Sequence, residues 1–182
     1  MTRDEAVKAF TAGIAGGMRR LTLGPLRSVA DIYLPFRLYE VTIVCGSRHE
    51  TTLVGVDGIT GSLDLYRFDA VPAAADLVDV STRNHAEPAL PPASTHERVT
   101  SRVTRIVRGR VGFFTPRVQL DVRPIDGDLH VPYWVGFFGR GETASLVVMD
   151  AVRRQIEGGK VRRAIEEWLS LRRLTADISR AR

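Results

Sequence analysis

The sequence holds a single cysteine, Cys45, so it has neither an internal disulfide framework nor a cysteine-built metal site. Lysine is almost missing. Lys8 and Lys160 are the only two, and every other basic side chain among the 26 is arginine. The four histidines, at 49, 85, 96 and 130, are scattered. No apolar run approaches the ~20 residues of a membrane-crossing helix, so no membrane span is expected. Asp4 and Glu5 interrupt the start, which does not read as a secretory signal. The expected location is the cytoplasm.

Catalytic signatures are equally sparse. Gly139-Arg-Gly-Glu lacks the residues that continue a phosphate loop, Gly158-Gly-Lys lacks the upstream glycine and the Ser/Thr, and Gly-x-Ser-x-Gly is absent. His49 lies near Cys45, but no third group is placed to orient the pair. Asp126, Asp128 and His130 alternate and would share a face on an extended strand. Asp-Gly-Asp is, however, ordinary turn chemistry. No cofactor, metal or catalytic residue is expected.

What remains is an ordinary globular composition, 44% hydrophobic and 26% charged, with a net charge of +5. The stretch Leu129–Asp150 places two apolar runs around Gly139-Arg-Gly-Glu, the pattern of a β-hairpin with a glycine turn. It holds Tyr133, Trp134, Phe137 and Phe138 and is the expected centre of the core.

Along the chain, residues 2–21 read as one amphipathic helix. Thr2 and Glu5 fit a capping box, and Val7, Phe10, Ile14, Met18 and Leu21 recur at helical spacing. Strands are predicted at 32–45, 51–56 and 62–68, the last with Leu63, Leu65 and Arg67 on one face. Turns fall at Gly46–His49 and Asp57–Gly61, and Pro35 suits a strand start or edge. Residues 69–93 are rich in proline and alanine and read as a linker, with a short helix at 73–80. Ser94 and Glu97 suggest a second capping box. Val99, Val103, Ile106 and Val107 carry that helix to Gly109 and Gly112. Strands follow at 115–122, 129–138 and 143–149, with a turn at Pro124–Asp128, and the clearest helix runs over 160–173. Trp168 on its apolar stripe is expected to be buried against the hairpin.

The two halves resemble each other. Leu34-Pro-Phe and Val131-Pro-Tyr each open a strand, and each is followed by a strand ending in an acid, Asp57 or Asp150. The expectation is an α+β fold of two helix-plus-antiparallel-meander units, a tandem duplication. The first unit covers 1–70, the linker 71–93, and the second unit 94–182. Asp57 and Asp150 are the candidate structural turn acids.

The run Leu34-Pro-Phe-Arg-Leu-Tyr-Glu-Val with Gly55-Val-Asp-Gly-Ile-Thr-Gly-Ser-Leu resembles the PepSY-type small α+β repeat. It covers 32–68 and, more loosely, 129–157. Arg153-Arg154 stand where the second half would carry Thr-Gly. The resemblance implies a helix packed on an antiparallel sheet, in a module for inhibition or binding rather than catalysis.

Arg98, Arg102 and Arg105 are spaced four and three apart, which aligns them on one helix face, and Arg108 follows. Such a stripe suits a polyanion such as a nucleic-acid backbone. Three functions follow. The first is a non-catalytic binding module for a protein or peptide, acting through a sheet edge or the groove between repeats. The second is a nucleic-acid-binding accessory protein, and the third an enzyme whose site assembles only in three dimensions.

Overall fold

Thr2 opens helix α1 (Arg3–Thr11) through a complete capping box: its N–H donates to Glu5 Oε2 at 2.7 Å and its Oγ1 accepts the Glu5 N–H at 3.3 Å. The Thr2 N–H also holds the Glu5 carboxyl below its ordinary range. The helix does not continue to residue 21 as its spacing suggests. Ala12 is extended (φ −80°, ψ 156°), Gly13 takes φ +66°, and α2 (Gly13–Leu23) sets off anew. Glycines at 13, 16 and 17 weaken a continuous helix. Gly16 also permits the close turn, since a Cβ there would collide with the Thr11 carbonyl. Arg19 secures the break by donating to the Phe10 and Ala9 carbonyls at 3.1 and 3.0 Å. The apolar series is therefore split: Phe10 is buried, whereas Ile14 and Leu21 are 87% and 86% exposed.

The computed structural model describes residues 1–61, 66–110, 118–140 and 144–180. The positions of Leu63, Leu65, Gly112, the strand start at 115, the last two residues of the turn (141–142) and the strand start at 143 lie outside these. The strands are β1 (Leu26–Cys45), β2 (Arg48–Asp57), β3 (Tyr66–Phe68), β4 (Val118–Phe138), β5 (Ser145–Asp150) and β6 (Gln155–Ile156). The remaining helices are α3 (Pro92–Arg110) and α4 (Gly159–Arg180). The α+β class stands. The strands form one hydrogen-bonded order, β3-β2-β1-β4-β5-β6, where two separate sheets were expected.

Local chemistry explains the other departures. β1 and β2 close around Gly46-Ser47 alone, Gly46 taking φ +61° as a type II′ turn requires at its first position. The turn expected at Pro124–Asp128 is absent. β4 runs through it, with Gly127 at φ +99° absorbing the irregularity. Between β3 and α3 the only helical piece is a 3-10 turn at Ala74–Asp76. α3 starts at Pro92, ahead of the Ser94–Glu97 box, proline being suited to a first helical turn.

Two compact units emerge, and they interleave along the chain. One comprises Met1–Leu34, Asn84–Ala86 and Val131–Arg182, the other Pro35–Arg83 and Glu87–His130. They are not the successive blocks 1–70 and 94–182, because β1 and β4 each contribute to both. In the first unit, Ala6 and Phe10 of α1 pack with Val29, Phe138 and Met149. The Phe10 and Phe138 rings meet edge to face at 6.2 Å. In the second unit, Val99, Val103 and Val107 of α3 pack with Tyr39, Val41, Val54 and Val56.

α4 packs on β5 through a buried stripe that includes Val161, Ala164 and Ile165. Trp168 lies at the margin of that stripe and is half-buried, not buried, with the Arg172 guanidinium 4.9 Å from its ring centre. Trp168→Ala is accordingly expected to cost about 1–2 kcal/mol, below the ~3–5 kcal/mol of a fully buried aromatic. A urea titration followed by circular dichroism measures this, and a loss in the higher range would place the indole in the core.

Candidate functional site

The second unit builds its chemistry around the start of α3. Arg37 on β1 donates from Nη1 to the Leu90 carbonyl at 2.6 Å and to Thr95 Oγ1 at 3.2 Å, and its Nε pairs with Asp128 Oδ1 at 3.3 Å. The Thr95 hydroxyl donates to the Pro92 carbonyl at 2.8 Å, so it accepts from Arg37 and from the Tyr39 hydroxyl at 2.8 Å. This network joins β1, β4 and the first turn of α3. Its members were not singled out in sequence, because Arg37 sits in a strand and Thr95 in a helix start, and only the fold brings them together.

Next to it stands the turn after β2. Asp57 is fully buried, and its Oδ1 accepts the Thr60 N–H at 2.7 Å, the Gly61 N–H at 2.9 Å and the Thr60 hydroxyl at 3.1 Å. Gly58 donates to the Pro35 carbonyl at 2.7 Å and accepts from the Ala89 and Leu90 N–H groups, both at 2.9 Å. Gly61 takes φ +61°, and a Cβ there would stand 2.5 Å from Arg98 Cδ. The stem of Arg98 therefore rests on the glycine floor that Asp57 shapes.

From Arg98 the basic residues rise along α3. At ~100° per residue, Arg98, Arg102 and Arg105 share an arc of about 60°, and Arg108 stands about 80° from Arg98. Arg98, Arg105 and Arg108 are exposed, whereas Arg102 is half-buried and engaged within the protein. The charged ridge is thus 98, 105 and 108 rather than 98, 102 and 105.

The other side of α3 packs on β1 and β2, and β4 borders that core. Val118, Leu120 and Val122 turn inward against the α3 valines, and Gln119, Asp121 and Arg123 are exposed. On the flank away from β1, β5 pairs only with Tyr133–Phe138. Among the described residues no backbone group bonds to 118–129 on that flank. His96 of α3 reaches the Val122 carbonyl, Nε2 to O at 3.0 Å.

The first unit shows what such a flank accepts. Asn84–Ala86 lies parallel to β1 at Tyr33: the Tyr33 N–H donates to the Asn84 carbonyl and the Ala86 N–H to the Tyr33 carbonyl, both at 2.9 Å. Asn84 Nδ2 adds a bond to Asp31 Oδ1 at 3.2 Å. Burial, with the neighbouring Asp31 charge, pushes the Tyr33 phenol up. In the same unit Asp150 is fully buried at the end of β5. Its Oδ1 accepts the Val152 and Arg153 N–H groups at 2.7 and 2.8 Å, and the Ala151 N–H donates to the Pro132 carbonyl at 3.1 Å.

Asp128 is drawn to Arg37, so it does not join Asp126 and His130 in a common site. Among the described residues no group of three His, Cys, Asp or Glu side chains could hold a metal ion. Cys45 is half-buried and pairs in register with Arg48, while His49 pairs with Val44. No described helix is long and apolar enough to cross a membrane. No family model, curated protein or solved structure matches this chain.

Proposed function

We propose that this chain is a non-catalytic binding module that takes an extended peptide as an added strand on β4. The observation that carries this is the flank of β4 over 118–129, whose main-chain groups find no backbone partner among the described residues. Unpaired strand edges invite another strand, and main-chain ladders give affinity while alternate side chains give selectivity. Pro124 has no N–H to offer a ladder, so addition is confined to 118–123. Asn84–Ala86 on Tyr33 is this chain's own use of the same device. The PepSY-type resemblance points the same way, toward a helix-on-sheet module that binds. The matched registers Phe36↔Asp57 and Tyr133↔Asp150 support the view that the two hairpins are copies of one ancestral unit.

The test selects ligands from a random linear peptide display and follows amide hydrogen exchange with and without the selected peptide. Protection is expected at every second residue of 118–123. Backbone N-methylation of alternate ligand residues should abolish binding in one parity and spare it in the other, because a strand presents every second N–H to its neighbour. Binding insensitive to N-methylation in both parities, or protection confined to residues outside 118–123, would refute strand addition.

A further inference from the structure

We propose that the outer face of α3 binds the phosphate backbone of duplex nucleic acid through Arg98, Arg105 and Arg108. α3 spans 19 residues and holds five arginines and one glutamate, a net of four positive charges against +5 for the whole chain. None of Arg98, Arg105 and Arg108 has a carboxylate partner among the described residues, so their charge is directed to solvent. At 1.5 Å per residue the ridge is ~15 Å long. Over that length one strand of a duplex presents about four phosphates. Arginine suits such a partner better than lysine does, because its planar fork holds a phosphate by two parallel bonds. The seat of Arg98 on Gly61 restricts the freedom of its stem, which lowers the ordering cost of a contact there. A lipid surface fits less well. Ile106, 42% exposed, is the one large apolar side chain α3 shows among the described residues, and Ser101 occupies the centre of the ridge.

The experiment is a fluorescence-anisotropy titration of the full chain with a random-sequence duplex between 50 and 200 mM salt. Wild type is expected to bind, with log K falling linearly against log salt. The triple variant Arg98→Gln, Arg105→Gln, Arg108→Gln should lower the magnitude of that slope by ~2–3, at ~0.9 per phosphate released. Arg102→Gln should leave the slope nearly unchanged. The double variant Arg105→Gln, Arg108→Gln, expected to lower it by ~1.8, serves if the triple variant does not fold. No binding by wild type at 50 mM salt overturns the proposal, as does an unaltered slope in the variants. Arginine-dependent binding to phosphatidylserine vesicles without binding to the duplex overturns it in favour of a lipid headgroup.

Discussion

Phe10→Ala is expected to destabilise the protein by about 3–5 kcal/mol, the range for truncating a fully buried phenylalanine. Phe10 is completely buried, its ring edge meets Phe138, and it belongs to the same cluster as Val29 and Met149. Four residues further, Ile14 is 87% exposed. Ile14→Ser should change stability by less than ~0.5 kcal/mol, since surface substitutions away from special features rarely do more. A continuous helix over 2–21 would give the opposite expectation, because residues four apart lie on one face and would be buried together. Urea denaturation of both variants separates the two geometries. Comparable losses for Phe10→Ala and Ile14→Ser would mean that α1 and α2 form one helix with a single buried stripe.

The same example shows where periodicity stops being informative. The apolar residues at 7, 10, 14, 18 and 21 obey helical spacing on both sides of the break, so a pattern count sees one element. The break is written in Gly13, Gly16 and Gly17 and in the reach of Arg19 back to the end of α1, and the latter is a tertiary fact. Pro124-Ile-Asp-Gly-Asp carries the composition of a turn, yet β4 crosses it. A strand lacking a neighbour on one flank loses no ladder bond to proline, and Gly127 supplies the irregular dihedral. Helix α3 was legible despite its β-branched content, because Val99, Val103 and Val107 fall on one face. Its arginines were legible as a stripe. That Arg102 turns inward and Arg108 belongs to the ridge depends on what α3 packs against, which no local pattern encodes. The turn acids Asp57 and Asp150 were visible from the repeated proline-to-acid pattern. The Arg37–Thr95–Tyr39–Asp128 network was not, because its members are distant in sequence and meet only when β1, β4 and α3 assemble.

Asp57→Ala is expected to cost about 2–4 kcal/mol, and Asp150→Asn less than ~1 kcal/mol, although both acids are fully buried. The difference lies in what each carboxylate satisfies. Asp57 Oδ1 accepts three donors, and one of them, the Gly61 N–H, belongs to a residue that is itself buried. Alanine would strand those N–H groups away from water, and each orphaned donor carries a desolvation penalty of ~1–3 kcal/mol. The turn also seats Leu90 and Arg98, so its loss would loosen the start of α3. Asp150 is different. Its Oδ1 accepts two backbone N–H groups, while its buried Oδ2 has no hydrogen-bond partner among the described residues. Asparagine keeps the accepting oxygen and buries an amide NH2 without an acceptor where Oδ2 stood, but an unpaired amide costs less to bury than an unpaired charge, so the desolvation relieved offsets both that burial and the weaker bonds to Val152 and Arg153. Asp57→Asn, which weakens three charge-assisted bonds without such relief, should fall between the two at about 1–2 kcal/mol. Guanidinium titrations of the three variants test the ordering. If Asp150→Asn proves as damaging as Asp57→Ala, then Oδ2 is engaged by a donor, and the turn after β5 is held by its charge as firmly as the turn after β2.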